Sequence, residues 1–282
     1  MTVGYQMPLP LDRTPRFDPR DEYRERLVSL LWRDLDFHEQ GSGYASHNFH
    51  SFPAKFPPQL PRKFILGLTV PGETVLDPMA GSGTTVLEAF LAGRRGIGTD
   101  IDPLAVLVSK VKTTSLDAGA VARLGRTVLE KAKLSAKRER DRLQAELESR
   151  NARTRRFIDY WFARETQMEL QALIGEIQQI EDEMARAFLK LTFSSTIITK
   201  VSVSFAFDLA HTRPHRAKIV YSESGQVLLG QDRIHDPTVR EKLLTKTLRS
   251  PLSEFDRRLR QNIRGLRQAG FGGIQPLVSC GD

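Results

Sequence analysis

A single cysteine, Cys280, stands in a chain of 282 residues. That scarcity excludes a disulfide framework and any zinc site built from thiolates. Nowhere do roughly 18 apolar residues run together, so no membrane-spanning helix and no membrane partner are expected. The opening stretch MTVGYQMPLPLDRTPRFDPR lacks the apolar core of a secretory signal. These two absences give the expectation of a soluble, cytoplasmic protein. Acid is in deficit too: 42 Lys and Arg outnumber 34 Asp and Glu, a formal charge of +8. The excess favours a polyanionic partner, most simply nucleic acid.

What is present organises the chain into four parts. With 40% hydrophobic residues it has enough apolar mass for a full core. Residues 1–40 read as a proline- and charge-rich arm and a short helix over 22–34, where Leu27, Leu30 and Leu31 recur at helical spacing. Residues 41–116 begin with the aromatic, proline-rich GSGYASHNFHSFPAKFPPQLPRKFILGL, helical only from about Leu60, with Pro61 tolerated in the first turn. Strand, turn, helix and strand then follow as TVLD, PMAGSG, TTVLEAFLAG and RRGIGTDID, with Gly93 where a helix-terminating glycine belongs. A further helix follows in PLAVLVSKVK. This βαβ unit opens an α/β fold with a doubly wound parallel sheet. Residues 117–235 read as a mainly helical insertion, because no Gly or Pro interrupts Ser135 to Ile174. Periodicity does not decide the run 191–207 between helix and buried strand. Residues 236–282 return to the core with a basic helical stretch over 237–269 and a strand in GGIQPLVSCGD.

Three ligands compete for the turn from Asp77 to Thr85. A nucleotide P-loop needs a lysine after its last glycine, but Gly83 is followed by Thr84 and Thr85. A dinucleotide fingerprint needs a third small residue, and Val86 stands there. The third option accounts for Asp77, whose carboxylate would repel a phosphate and attract a cation. S-adenosylmethionine carries an ammonium and a sulfonium beside its adenosine. Gly81 and Gly83 let the backbone come close, and the next helix N-terminus can receive the cofactor's carboxylate. Asp100, ending the second strand, lies where an acid would hydrogen-bond ribose hydroxyls.

LDPMAGSGTT closely resembles the cofactor motif of DNA methyltransferases that modify exocyclic amines, cytosine-N4 or adenine-N6. GIGTDIDPLA resembles their second motif, and HNFHSFPAKFPPQLPRKFI the cofactor-side segment of one branch. YWFARETQMEL and VSVSFAFDLAHTRPHRAK are also similar to that branch, so the resemblance runs from about Gly43 to the C-terminus. It implies a class I, Rossmann-like methyltransferase using S-adenosylmethionine on double-stranded DNA, with a cognate restriction endonuclease as a further partner. Asp77 would neighbour the methionine amino group. Gly81, Ser82, Gly83 and Thr84 would line the methionine end, and Pro78 joins them in the cofactor-binding set. Asp100 would hold the ribose, with Ile101 against the adenine. Phe56 and Pro57 would close the pocket from the other side, and Asp282 would approach the adenine amine. Target base, recognition sequence and oligomeric state are not legible.

The family grips the flipped base with an acceptor (Asp, Asn or Ser), two prolines and an aromatic ring. The only Pro-Pro pair here is Pro57-Pro58, set between Phe56 and Gln59, which offers neither acceptor nor stacking ring. In the resembled branch that motif follows a strand ending in Gly-Asp, and this sequence stops at Gly281-Asp282. The expectation is therefore the front portion of a longer methyltransferase, without a catalytic residue of its own and inactive alone. The alternatives are a non-catalytic cofactor-binding module, a split-enzyme subunit, or a related RNA methyltransferase.

Other candidates carry less. His47 with His50, and His211 with His215, lack a completing ligand at zinc spacing and read as polar or stacking histidines. No G-x-S-x-G nucleophile elbow is present. Lys131, Lys133, Lys137, Arg138, Arg140 and Arg142 are interleaved with Glu130, Glu139 and Glu146, which suits a solvated helix face. Arg257, Arg258, Arg260, Arg264 and Arg267 are less diluted by acid and are the better phosphate candidates. Trp161 and Phe162 read as core anchors of the insertion.

Overall fold

A computed structural model describes residues 19–53, 55–198, 201–202, 217, 219–230, 245–269 and 274–281. Helix α1 (Pro19–Leu31) packs on α2 (Gln59–Leu68). Then come β1 (Thr74–Asp77), α3 (Thr84–Leu91), β2 (Arg95–Asp100) and α4 (Pro103–Thr113), the expected βαβ unit and the helix after it. Five helices follow: α5 (Ala118–Arg138), α6 (Arg140–Glu148), α7 (Ala152–Trp161), α8 (Arg164–Gln178) and α9 (Glu183–Ile197). The remaining elements are β3 (Ile219–Ser222), β4 (Val227–Leu229), β5 (Thr245–Leu248), α10 (Pro251–Gln268) and β6 (Leu277–Cys280).

The helix starts obey simple chemistry. Asp102 caps α4 by accepting from Leu104 N at 2.8 Å, with Pro103 in the first turn, where its missing N–H costs nothing. Asp117 caps α5 through Gly119 N and Ala120 N, Asn151 caps α7 through Thr154 N, and Asp182 caps α9 through Ala185 N. These acceptors satisfy backbone donors that each helix start would otherwise leave bare.

Strands β1, β2 and β6 form a parallel sheet in that order, with Thr74 opposite Arg95 and Ile97 opposite Leu277. The fold is thus α/β, a small parallel sheet with many helices. The main core lies beside the sheet. Val108 and Val111 of α4, Val128 and Leu129 of α5, Leu173 and Ile177 of α8, Phe188 and Leu189 of α9, and Phe255 and Leu259 of α10 form one buried cluster. Phe49 belongs to it as well, so apolar packing is continuous across residue 117 rather than broken there.

Three sequence readings change. The stretch 237–269 is not one helix: Thr245–Leu248 is a strand, parallel to Ile219–Ser222, and the helix begins only at Pro251. β-Branched Thr245 and Thr247 suit a ladder, and Pro251 sets a helix start. Strands β3 and β4 likewise add a small second sheet to the 117–235 region, in the order β4-β3-β5. The run from 191 is helical through Ile197, and residues 203–207 lie outside the described residues. Trp161 and Phe162 are not core anchors. Helix α7 buries none of its residues, and Trp161 clusters with Phe157 and Tyr160 on a half-open surface. Its neighbour Ala163 takes the buried place, beside Ala217, Val220 and Leu248.

Helix α10 comes against the 45–49 segment at Gly265, where an added Cβ would stand 2.6 Å from both Ala45 O and Phe49 Cε1. Gly265→Ala should therefore lower stability by about 1–3 kcal/mol through overpacking, read as a drop in urea midpoint at constant m-value.

Candidate functional site

The site is built where β1 and β2 end. Asp77 closes β1 half-exposed, and its Oδ1 accepts from Met79 N at 3.2 Å. The turn beyond it is left-handed at Gly81 (φ 49°) and Gly83 (φ 72°), and Gly83 begins α3 without a side-chain cap. A side chain at Gly83 would also meet Ser109 Oγ at 2.3 Å. Both the turn and the close passage of α4 therefore demand glycine there.

Asp100 at the end of β2 reaches back across the sheet. Its Oδ2 accepts from Gly81 N at 2.7 Å and its Oδ1 from Asp102 N at 2.9 Å. This carboxylate clasps the glycine turn and retains lone pairs for a ligand hydroxyl. Apolar side chains stand open next to the pair in the chain, Met79 84% exposed and Ile101 79%, while Phe56, on the segment before α2, is 43% exposed. Pro57 is half-buried, and Pro78 O accepts from Thr99 Oγ1 at 3.1 Å. Ser82 and Thr84 are buried, their hydroxyls 3.4 Å apart. The structure thus gathers Asp77, Pro78, Gly81, Ser82, Gly83, Thr84, Asp100 and Ile101 at adjoining strand ends. Asp282, His211 and His215 lie outside the described residues.

Beneath the turn lies a cation that sequence reasoning passed over. Lys112 of α4 is fully buried, and its Nζ donates to Ser82 O at 2.8 Å, while Ser109 Oγ donates to Gly81 O at 3.1 Å. Burial, and then the nearby Lys55, lower the Lys112 pKa from 10.5 to about 7. Lys55 Nζ itself donates to His47 O and His50 O at 3.1 and 3.0 Å, holding the segment that leads to Phe56.

A buried carboxylate fixes that segment from the other side. Glu88 of α3 is 0% exposed and accepts from Tyr44 OH at 2.6 Å and Arg62 Nη1 at 3.1 Å. His47 Nε2 lies 2.7 Å from the same carboxylate. Burial pushes the Glu88 pKa up, but hydrogen bonds from His47, Tyr44 and Arg62 outweigh it and hold the carboxyl below its usual range. Burial, and then the hydrogen bond to Glu88, raise the Tyr44 pKa. His47 spends its Nε2 on Glu88 and stacks edge-on against Tyr44. His50 Nε2 faces Ser194 Oγ at 3.1 Å, and burial, with Lys55, Lys112 and Arg258 nearby, lowers its pKa to about 4. Among the described residues no group of three His, Cys, Asp or Glu could hold a metal ion. A sequence signal for Glu88 did exist, a lone charge inside the apolar helical run TTVLEAFL; Lys112 shares PLAVLVSKVKT with Lys110, and the pattern alone does not single it out.

Comparison with known proteins fits this geometry. Residues 4–110 match the family model described as DNA methylase, of the N6/N4 type. That segment is a DNA methylase family segment. The similarity extends beyond it: Type II methyltransferase M.MvaI of Kocuria varians is 29% identical over 244 residues, 82% of this chain and 50% of that protein. Type II methyltransferase M.MjaII of Methanocaldococcus jannaschii is 32% identical over 120 residues, 42% of this chain and 23% of that protein. DNA adenine methyltransferase YhdJ of Escherichia coli is 39% identical over 59 residues, 21% of this chain and 20% of that protein. The chain spans half the length or less of these curated relatives. No solved structure matches it. The matched segment includes the turn, Asp77, Asp100, Glu88 and the 44–62 stretch. No helix among the described residues is long and apolar enough to cross a membrane.

The buried lysine gives a pH signature. The folded pKa of Lys112 lies near 7 and the unfolded value near 10.5, so between them the unfolded chain binds the extra proton. Stability should rise with pH across that window, by up to about 1.4 kcal/mol per pH unit from this residue. Lys112→Met removes the titration. Urea unfolding at several pH values should show the variant with the flatter profile, its advantage over the parent shrinking as pH rises.

Proposed function

We propose that this chain is the cofactor-binding part of an S-adenosylmethionine-dependent DNA methyltransferase of restriction–modification type. The target is an exocyclic amine, cytosine N4 or adenine N6, in double-stranded DNA, and a cognate restriction endonuclease is the expected companion. The observation that carries the reading is the acid-bearing glycine turn: Asp77 at one strand end, Asp100 at the next, and a left-handed Gly81–Gly83 turn between them leading into α3. A triphosphate or dinucleotide site would not place a half-exposed carboxylate where phosphate must sit.

These residues fit the cofactor's charges. Asp77 suits the methionine ammonium, and the bare N–H groups at the start of α3 suit its carboxylate. Asp100 accepts ribose hydroxyls while clasping Gly81 N, and exposed Ile101 offers the adenine an apolar face. Pro78, Ser82 and Thr84 line the methionine end, while Phe56 and Pro57 cover it from the segment anchored by Glu88 and Lys55. Asp282 completes the adenine side in this proposal. Bound S-adenosylmethionine supplies the methyl group; the chain's own task is to hold and orient it and to keep water from its sulfonium. Residues 41–116 form the cofactor-binding part of a doubly wound, Rossmann-like sheet that residues 236–282 rejoin, with residues 117–235 as the mainly helical insertion and 1–40 as the arm.

Among the described residues Asp77 makes only a local hydrogen bond to Met79 N, so its removal should spare the fold. Asp77→Ala should abolish detectable S-adenosylmethionine binding in titration calorimetry while circular dichroism stays unchanged. Undiminished binding in that variant would overturn the assignment.

A further inference from the structure

Arginines gather where the cofactor site makes no use of them. Helices α5 and α10 pack along one another and leave an open groove of about 740 Å³. Its floor is apolar, with Leu259 and Ile263, and its rims carry Arg126 from α5 and Arg257, Arg260, Arg264 and Arg267 from α10. The set differs from the sequence expectation by two residues. Arg258 turns inward to Glu254 at 3.2 Å, its side chain only 13% exposed, and Arg126 joins from another helix.

Charge balance within the groove is uneven. Arg257 pairs with Glu254 and Arg260 with Asp256, each on its own helix. Arg126, Arg264 and Arg267 are exposed and have no acidic partner among the described residues. Three uncompensated guanidinium groups around one groove repel one another, which a polyanion relieves. The α10 arginines, spaced three, four and three apart, form one stripe. It is roughly 15 Å long at 1.5 Å per residue. That length spans about four phosphates of one duplex strand at 3.4 Å axial spacing. The planar guanidinium fork suits phosphate oxygens.

The groove is also tied to the site. Asn262 Nδ2 of α10 donates to Phe49 O at 3.4 Å, and Gly265 abuts Ala45, so α10 and the segment leading to Phe56 are fastened together. The geometry points to the α5–α10 groove as a surface that holds the phosphate backbone of duplex DNA without reading its sequence. This goes beyond the methyl-transfer reading and rests on it only in taking duplex DNA as the polyanion.

The test is fluorescence anisotropy of a short labelled duplex of arbitrary sequence, titrated with the chain from about 50 to 200 mM salt. The triple variant Arg126→Gln, Arg264→Gln, Arg267→Gln should bind more weakly at low salt. Its log–log salt slope should be shallower by about 2–3, near 0.9 for each phosphate that the variant no longer neutralises. Arg153→Gln, Arg155→Gln, Arg156→Gln on α7 removes the same charge from exposed positions and should leave the slope close to the parent's. An unchanged slope in the groove variant overturns the proposal. So does an equal or larger loss in the α7 variant, or a parent chain that binds polyglutamate and ignores the duplex. Unchanged circular dichroism and S-adenosylmethionine titration in the groove variant, with duplex binding retained by Asp77→Ala, separate this surface from the cofactor site.

Discussion

A carboxylate with no access to water organises this molecule. Glu88 sits in the middle of an otherwise apolar helix and would be costly there alone, since burying an unpaired charge is among the largest penalties a fold can meet. Tyr44 and His47 reach it from a segment that has little regular structure of its own, and Arg62 reaches it from α2. That convergence holds the 44–62 arm against α3, the helix into which the glycine turn leads. Loss of one donor would therefore act on how this segment is held against α3 as well as on stability.

Opposite the carboxylate, the same arm meets cations. Burial lowers the pKa of both Lys55 and Lys112, and each donates to backbone carbonyls rather than to an acid. The turn is thus pinned by Lys112 from below, by Ser109 at Gly81 O and by Asp100 at Gly81 N. A turn held at three points is ordered by the fold itself, and a preorganised turn loses less conformational entropy in any binding it takes part in. The cost is electrostatic and falls on α4, which explains why the pH dependence should centre on Lys112.

Much of the site was legible because it is local. Strand, turn and helix from Thr74 to Leu91 follow one another in sequence, and only glycine adopts the left-handed turn at Gly81 and Gly83 without strain. The helices α5 to α9 were legible as a class from their uninterrupted pattern. Strand β5 was not, because TKTL is polar and short, and only its pairing with Ile219–Ser222 makes it a strand. Trp161 misled for a related reason: aromatic size suggests burial, but burial needs an opposing surface, and among the described residues nothing packs on α7 closely enough to bury any of its side chains fully.

From the sequence alone came the glycine turn, the two strand-end aspartates and the positive charge, since each depends on residue type and near-neighbour spacing. Tertiary structure alone decided the partners of Glu88, the burial of Lys112 and the presence of Arg126 rather than Arg258 in the groove. Those pairings join residues far apart in the chain, and whether a charge is buried, paired or free follows from what the fold packs against it.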